Sequence, residues 1–222
     1  GQGPVSEADL EIDKMLFDFL SIARPNYSFL SEEAENNTDR YTTKNVFIID
    51  PIDGTKSFLN GHENFATSIA VARNGAIHTA VVYLPAKDLL YDAQKDEGSR
   101  LNGVQIHTGN NTNINGARIL ASESQSNPKL WKDTPPPIER HFRSSLAYRL
   151  CLVAEGRFDG MMTLRPTWEW DVAAGNLICT EAGCEVRTQE GECPIYNSED
   201  SKMNGMIAGN SILVNKLLGY IK

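Results

Sequence analysis

Apolar positions recur along this chain with two different periods. Ala8, Ile12, Met15, Leu16 and Phe19 repeat at helical spacing behind Ser6-Glu-Ala-Asp9, where Ser6 suits an N-cap and Asp9 sits three residues on, as a capping box requires. Pro25 ends that helix. The run Asn45-Val-Phe-Ile-Ile-Asp50 reads as a buried strand, and Pro51 is expected to stop it. Residues 66–71 and 76–83 form a predicted hairpin turning at Arg73-Asn74-Gly75. Residues 89–93 and a strand near 101–106 extend the same antiparallel sheet. The mostly polar stretch 109–115 is a loop, and 117–122 begins a second sheet. Pro135-Pro-Pro137 marks an irregular connection. Residues 144–155 carry a helical apolar side that includes Ala147, Cys151 and Ala154 and stops at Gly156. A further helix spans 171–182 with Gly183 as its cap. Short strands around Glu185 and Met206 and a last helix from Ile212 complete the pattern. No internal repeat is present.

At 222 residues and 41% hydrophobic content, the chain reads as one catalytic-sized domain, 1–222, since domains usually run to ~100–200 residues. A mixed α/β (α+β) fold of stacked layers is the simplest architecture. The formal net charge of −8 argues against a nucleic-acid polymer as partner. It leaves room for a small anionic substrate, because bound cations reverse the local field. No apolar run reaches the roughly 18–20 residues of a membrane span. Cys151, Cys179, Cys184 and Cys193 lack CxxC spacing, so buried reduced thiols are expected and the cytoplasm is the default compartment.

Candidate chemistry concentrates where the Asn45–Asp50 run ends. Asp50 and Asp53 flank Pro51-Ile52, followed by Gly54 and Thr55-Lys56-Ser57 at the start of a short helix. Carboxylates hold hard divalent cations and a helix N-terminus holds phosphate, so one loop offers both halves of a metal-dependent phosphate site. Either aspartate alone would pass as a turn former; two of them around a proline favour ligation. Glu32 and Glu33 follow the apolar Phe29-Leu30, as at a strand end, although solvated charge is the commonest fate of such a pair. Asp171 precedes an Ala-rich helix and suits an N-cap, a role compatible with metal binding through its other oxygen. Asp9 suits the capping box. Gly54-Thr-Lys-Ser57 lacks the glycine spacing of a P-loop, and Pro51-Ile52 defeats an EF-hand. His62, His78, His107 and His141 stand singly.

Three acidic motifs in order, Ser31-Glu32-Glu33, Asp50-Pro-Ile-Asp53-Gly-Thr55 and Trp170-Asp171-Val-Ala-Ala174-Gly175, resemble the inositol monophosphatase superfamily. The likeness runs from Pro4-Val-Ser-Glu-Ala-Asp9 to Glu181-Ala-Gly183. It implies an α-β-α-β-α sandwich of the sugar-phosphatase type and a magnesium-dependent, lithium-sensitive phosphomonoesterase with two or three Mg2+ per site. By the resemblance Glu32, Asp50, the Ile52 carbonyl, Asp53 and Asp171 are metal ligands. Thr55, oriented by Asp9, helps to deprotonate the attacking water, with Glu32 as a further acceptor. Gly54 and Thr55 amides grip the phosphate. A homodimer is also expected.

Position 164 is Leu where inositol-phosphate enzymes usually carry Glu. Together with Asp53-Gly-Thr-Lys56 and Ser144-Ser145-Leu146, this looks more like the 3′(2′),5′-bisphosphate nucleotidase branch. Lys56, Ser144, Ser145 and Arg149 are then expected substrate contacts, with Arg165 as a further cation. Arg143 replaces the glycine that usually precedes the serine pair. The helical segment that usually comes before Pro4-Val is missing, so an incomplete N-terminus is expected. The alternatives are inositol 1-phosphate as substrate, or a family member with an additional regulatory binding role. A metal-independent hydrolase using Glu32 and Asp50 as acid and base is more distant.

Overall fold

The computed structural model describes residues 6–35 and 37–222; Pro4 and Val5 of the opening motif lie outside them. Helix α1 (Glu7–Ala23) starts on the expected capping box, with the Asp9 carboxylate accepting the Ser6 backbone N–H at 2.9 Å and the Ser6 hydroxyl accepting the Asp9 N–H at 3.3 Å. Its expected apolar face is a correction, because Met15 and Phe19 are exposed while Asp9 is buried. Ala8, Ile12 and Leu16 are only partly covered, so the stripe lies at the edge of the contact and the helix start is its one fully buried point.

One sheet takes its strands in chain order: β1 (Ser28–Ser31), β2 (Asn45–Asp53), β3 (Ala66–Arg73), β4 (Ala76–Leu84), β5 (Leu89–Gln94), β6 (Ser99–Leu101) and β7 (Val104–Gln105). β1 pairs parallel to β2; the remaining neighbours are antiparallel. The expected strand over 101–106 is instead a tight hairpin. Asn102 and Gly103 both take positive φ (47° and 79°), which suits the two-residue turn whose twist matches the flanking strands.

Pro51 does not stop β2. The strand runs to Asp53, and its register with β3 slips by one residue between Asp50↔Ser68 and Asp53↔Ala66. Pro51 has no N–H to lose to the ladder, and its carbonyl accepts the Thr67 hydroxyl at 2.9 Å. The slip has a geometric consequence. Residues three apart on a regular strand face opposite sides, but one inserted residue brings Asp50 and Asp53 to the same side.

The second sheet has the order β11 (Glu185–Arg187), β12 (Lys202–Gly209), β10 (Gly160–Trp168), β8 (Arg118–Leu120), β9 (Glu139–His141). Strand β10 has no counterpart in the sequence expectations, because Arg165-Pro166 interrupts its apolar run. Here too a bulge accommodates the proline, between Thr163 and Pro166. Five helices complete the described fold: α1, the short α2 (Thr55–Leu59), α3 (Leu146–Ala154), α4 (Glu169–Glu181) and α5 (Ser211–Tyr220). Helix α4 begins two residues before Asp171, which is therefore its third residue and not its cap; Trp168 holds the cap position. Its C-cap is Ala182, with Gly183 next at φ 92°.

The layers follow from packing. α1 lies on β2, α3 and α4 fill the space between the sheets, and α5 covers the far face of the second sheet through Leu213, Val214 and Leu217. This is the expected α-β-α-β-α order. Among the described residues no helix is long and apolar enough to cross a membrane.

The β10 bulge depends on its neighbour. Gly205 (φ 68°) lies opposite, where an added Cβ would stand 2.5 Å from the Thr163 carbonyl oxygen. Gly205→Ala is expected to cost on the order of 2–3 kcal/mol. That corresponds to a Tm lower by about 5 °C or more, as calorimetry would read; an unchanged Tm would show that the bulge relaxes freely.

Candidate functional site

Asp50 and Asp53 from the β2 bulge meet Asp171 from the first turn of α4. One carboxylate oxygen from each lies within 4.8 Å of the other two. Asp50 and Asp53 are buried, and the Asp50 Oδ1 has no hydrogen-bond partner among the described residues. Burial pushes the Asp50 carboxyl well above the usual range, and Asp53, Glu32 and Asp171 push it further. Asp171 is raised in the same way, by burial and then by Asp53 and Glu32. Glu32, just past the end of β1, is pushed up to about 7 by burial, by Glu33 and by Asp53. Such a group of oxygen donors, one of them orphaned, fits a hard divalent cation such as Mg2+. Asp50, Asp53 and Asp171 would hold it, with Glu32 alongside.

Asp53 is the best anchored of the three. Its Oδ2 accepts the Ser145 hydroxyl at 2.6 Å and the Ala147 N–H at 2.7 Å. Ser145 also caps α3, its oxygen accepting the Tyr148 N–H at 2.9 Å. Fully buried, Ser145 supports Asp53 and stands behind the cavity wall; it does not line it. Asp171 is set by α4, whose N-cap Trp168 makes no side-chain cap bond. The helix entrance is held instead by buried Glu169, which accepts the Asn197 N–H at 2.6 Å, the Ser198 N–H at 2.8 Å and the Ser198 hydroxyl at 2.6 Å. Buried Arg40 ties in the same loop through Asn197 Oδ1 (2.6 Å) and Ser201 Oγ (3.0 Å). Neither Glu169 nor Arg40 carries a sequence signal, since their partners are about 30 and 160 residues away.

The phosphate half of the site starts at Gly54, whose φ of 101° leads into α2. A Cβ there would stand 3.1 Å from the Asn64 carbonyl oxygen. The first N–H groups of a helix have no partner within it, so this turn presents donors. The Thr55 hydroxyl lies 3.1 Å from the Ile52 carbonyl and 3.5 Å from Asp9 Oδ1. Ile52 itself is buried. Glu33 is half-buried and is raised by burial and by Asp9 and Asp13.

Beside this turn opens a cavity of about 830 Å³, lined by Gly54, Thr55 and Lys56 on one side and by Phe142, Arg143, Ser144, Arg149 and Arg165 on the other. The Ser144 hydroxyl donates to the Asn64 carbonyl at 2.6 Å. Arg149 is buried, and burial lowers its pKa to about 10, which leaves it charged at neutral pH. Leu164 is packed in the core under α5 and is absent from this wall, whereas its neighbour Arg165 faces the cavity. Phe142, half of whose surface is exposed, was not marked by any motif.

A model of the inositol monophosphatase family matches residues 1–220. The inositol-1-monophosphatase of Rhizobium meliloti is 37% identical, covering 98% of this chain and 82% of its own length. The 3′(2′),5′-bisphosphate nucleotidase CysQ of Haemophilus influenzae is 31% identical over 90% of this chain and 78% of its own. Among solved structures, the extragenic suppressor protein suhB of Bartonella henselae superposes with a TM-score of 0.80 at 30% identity, over 96% of this chain and 87% of that one.

The raised carboxyls make stability depend jointly on pH and metal. Without a cation the folded state holds protons that the unfolded chain has released, so stability falls as pH rises from the ordinary carboxylate range through about 7. A cation removes that loss. The Tm gained on replacing chelator with saturating Mg2+ should be small at pH 5 and about 5–10 °C at pH 7.5, from the ~2.7 kcal/mol expected at 100 Kd. Equal gains at both pH values in a thermal-shift series would contradict this.

Proposed function

The chain belongs to the inositol monophosphatase family of metal-dependent phosphomonoesterases, and from that membership we propose that its ester is a 3′(2′),5′-bisphosphate nucleotide. The observation carrying the proposal is the cavity wall. Lys56, Arg143, Arg149 and Arg165 line it, and no carboxylate is among its lining residues. A second phosphate calls for guanidinium and ammonium donors; a polyol ring calls for acceptors to its hydroxyls. Position 164, where a carboxylate would serve a polyol, holds a leucine turned into the core.

When bound at Asp50, Asp53 and Asp171, Mg2+ supplies Lewis acidity toward the phosphoryl oxygens and makes water acidic enough to attack. The chain does the rest. N–H groups of Gly54 and Thr55 hold phosphate oxygens at the start of α2. Thr55 Oγ1 receives a proton from the attacking water as its own proton moves toward Asp9, whose other oxygen is fixed by the Ser6 N–H. Glu32 is a second acceptor. Ser145 is fully buried and does not line the cavity, and the Ser144 hydroxyl already donates to the Asn64 carbonyl; direct attack by water, without a phosphoenzyme, fits that arrangement.

Inositol 1-phosphate is the second reading, favoured by the 37% identity to the Rhizobium meliloti inositol-1-monophosphatase. A substrate panel with magnesium separates the two. Adenosine 3′,5′-bisphosphate should exceed inositol 1-phosphate in kcat/KM by at least about tenfold, or ~1.4 kcal/mol; parity or reversal would overturn the nucleotide assignment and leave the metal chemistry standing.

Asp53→Asn tests the metal half. Both hydrogen bonds from α3 reach the same oxygen, Oδ2, so an asparagine with its carbonyl there keeps them and turns its NH2 toward the cluster. Activity should fall at least ~100-fold, equivalent to ~2.7 kcal/mol, with an unchanged circular dichroism spectrum. Near-normal turnover in this variant would remove Asp53 from the ligand set.

A further inference from the structure

We propose that Phe142 is the platform on which the ester's leaving group stacks, so that it selects leaving groups carrying a flat heteroaromatic ring; this rests on the phosphatase reading of the site. Phe142 follows β9 and comes just before the turn into α3, and it lines the cavity with 51% of its surface exposed. One face of its ring is already covered. The Arg149 guanidinium sits 4.6 Å from the ring centre. That guanidinium is not a loose surface group: Arg149 is 5% exposed, it belongs to α3, and its Nε donates to the Arg143 carbonyl.

Three physical points follow. A lone exposed phenylalanine must be ordered when a ligand stacks on it; one backed by a fixed cation is ordered beforehand, which lowers the entropic cost of binding. The open face is apolar and flat, which suits offset stacking by an aromatic ring and offers nothing to a polyol's hydroxyls. Arg149 is also close enough to Asp53 and Asp171 to feel their charge. Gly54 and Thr55 at the start of α2 line the same cavity as Phe142, so a phosphate at that turn and a base on the ring can be parts of one ligand. The occupant is anionic, given the arginines around it, and its ring is a nucleobase.

The test compares Phe142→Ala and Phe142→Trp with the unaltered protein, with magnesium, on adenosine 2′-monophosphate and on glycerol 2-phosphate, which has no ring. In Phe142→Ala, kcat/KM for the adenosine ester should fall at least about tenfold more than for the glycerol ester, mainly through KM, and Phe142→Trp should restore it. Equal falls for both esters, or no fall for either, would overturn the proposal. Calorimetric titration with adenosine 5′-monophosphate, the product left by hydrolysis of the bisphosphate, reads stacking apart from turnover. If the unaltered protein hydrolysed neither ester, the phosphatase reading would fail on its own, and the platform would stand or fall on whether Phe142→Ala weakens that binding about tenfold.

Discussion

Mutual repulsion among Asp50, Asp53 and Asp171 is the constraint around which the structure is arranged. Three carboxylates with oxygens inside 4.8 Å oppose folding wherever they are ionised and unneutralised. Each is therefore held by a different device. Asp50 and Asp53 share a face because a proline-bearing bulge shifts the β2 register. Asp53 is gripped by the cap of α3. Asp171 rides on a helix whose entrance Glu169 pins to the 197–198 loop. A bound cation would resolve a conflict that the surrounding fold maintains.

Two kinds of positive charge then divide the ligand between them. At the cluster the charge would come from a bound metal, held by Asp50, Asp53 and Asp171, and would serve the phosphoryl group. Across the cavity it belongs to Arg143, Arg149 and Arg165, whose side chains are part of the protein. Arg149 is shared electrostatically by both regions, lying near Asp53 and Asp171 while stacking on Phe142. This division explains how a chain of net charge −8 presents a locally cationic mouth.

Much of this was legible in the sequence, because the legible parts are local. The capping box, the hairpin at Asn74-Gly75 and the order of helices rest on neighbours a few residues apart, as does the pairing of Asp50 with Asp53; Asp171 joined them only through the family resemblance. What escaped depends on distant partners. Strand β10 was invisible because Arg165-Pro166 looks like a break and is a bulge, tolerated by Gly205 on β12. The same bulge turns Leu164 inward, so the residue next in sequence takes the cavity position. Ser145 reads as a substrate contact until Asp53, 92 residues away, is seen to accept its hydrogen bond. The exposed stripe of α1 satisfies helical periodicity without being buried, since period reports conformation and packing decides burial.

The shallow seating of α1 has a dynamic consequence. Of its 17 residues Asp9 is the one buried, and Leu10, Phe17 and Ile22 stand in the open. Segments with few buried apolar contacts open locally at a fraction of the global unfolding free energy. When the first turn of α1 frays, Asp9 leaves Thr55, yet Asp50, Asp53 and Asp171 keep their supports on β2, α3 and α4. The partner of the Thr55 hydroxyl and the carboxylate cluster therefore rest on different elements, so fraying of α1 would unpair Thr55 from Asp9 and leave the supports of a bound cation in place.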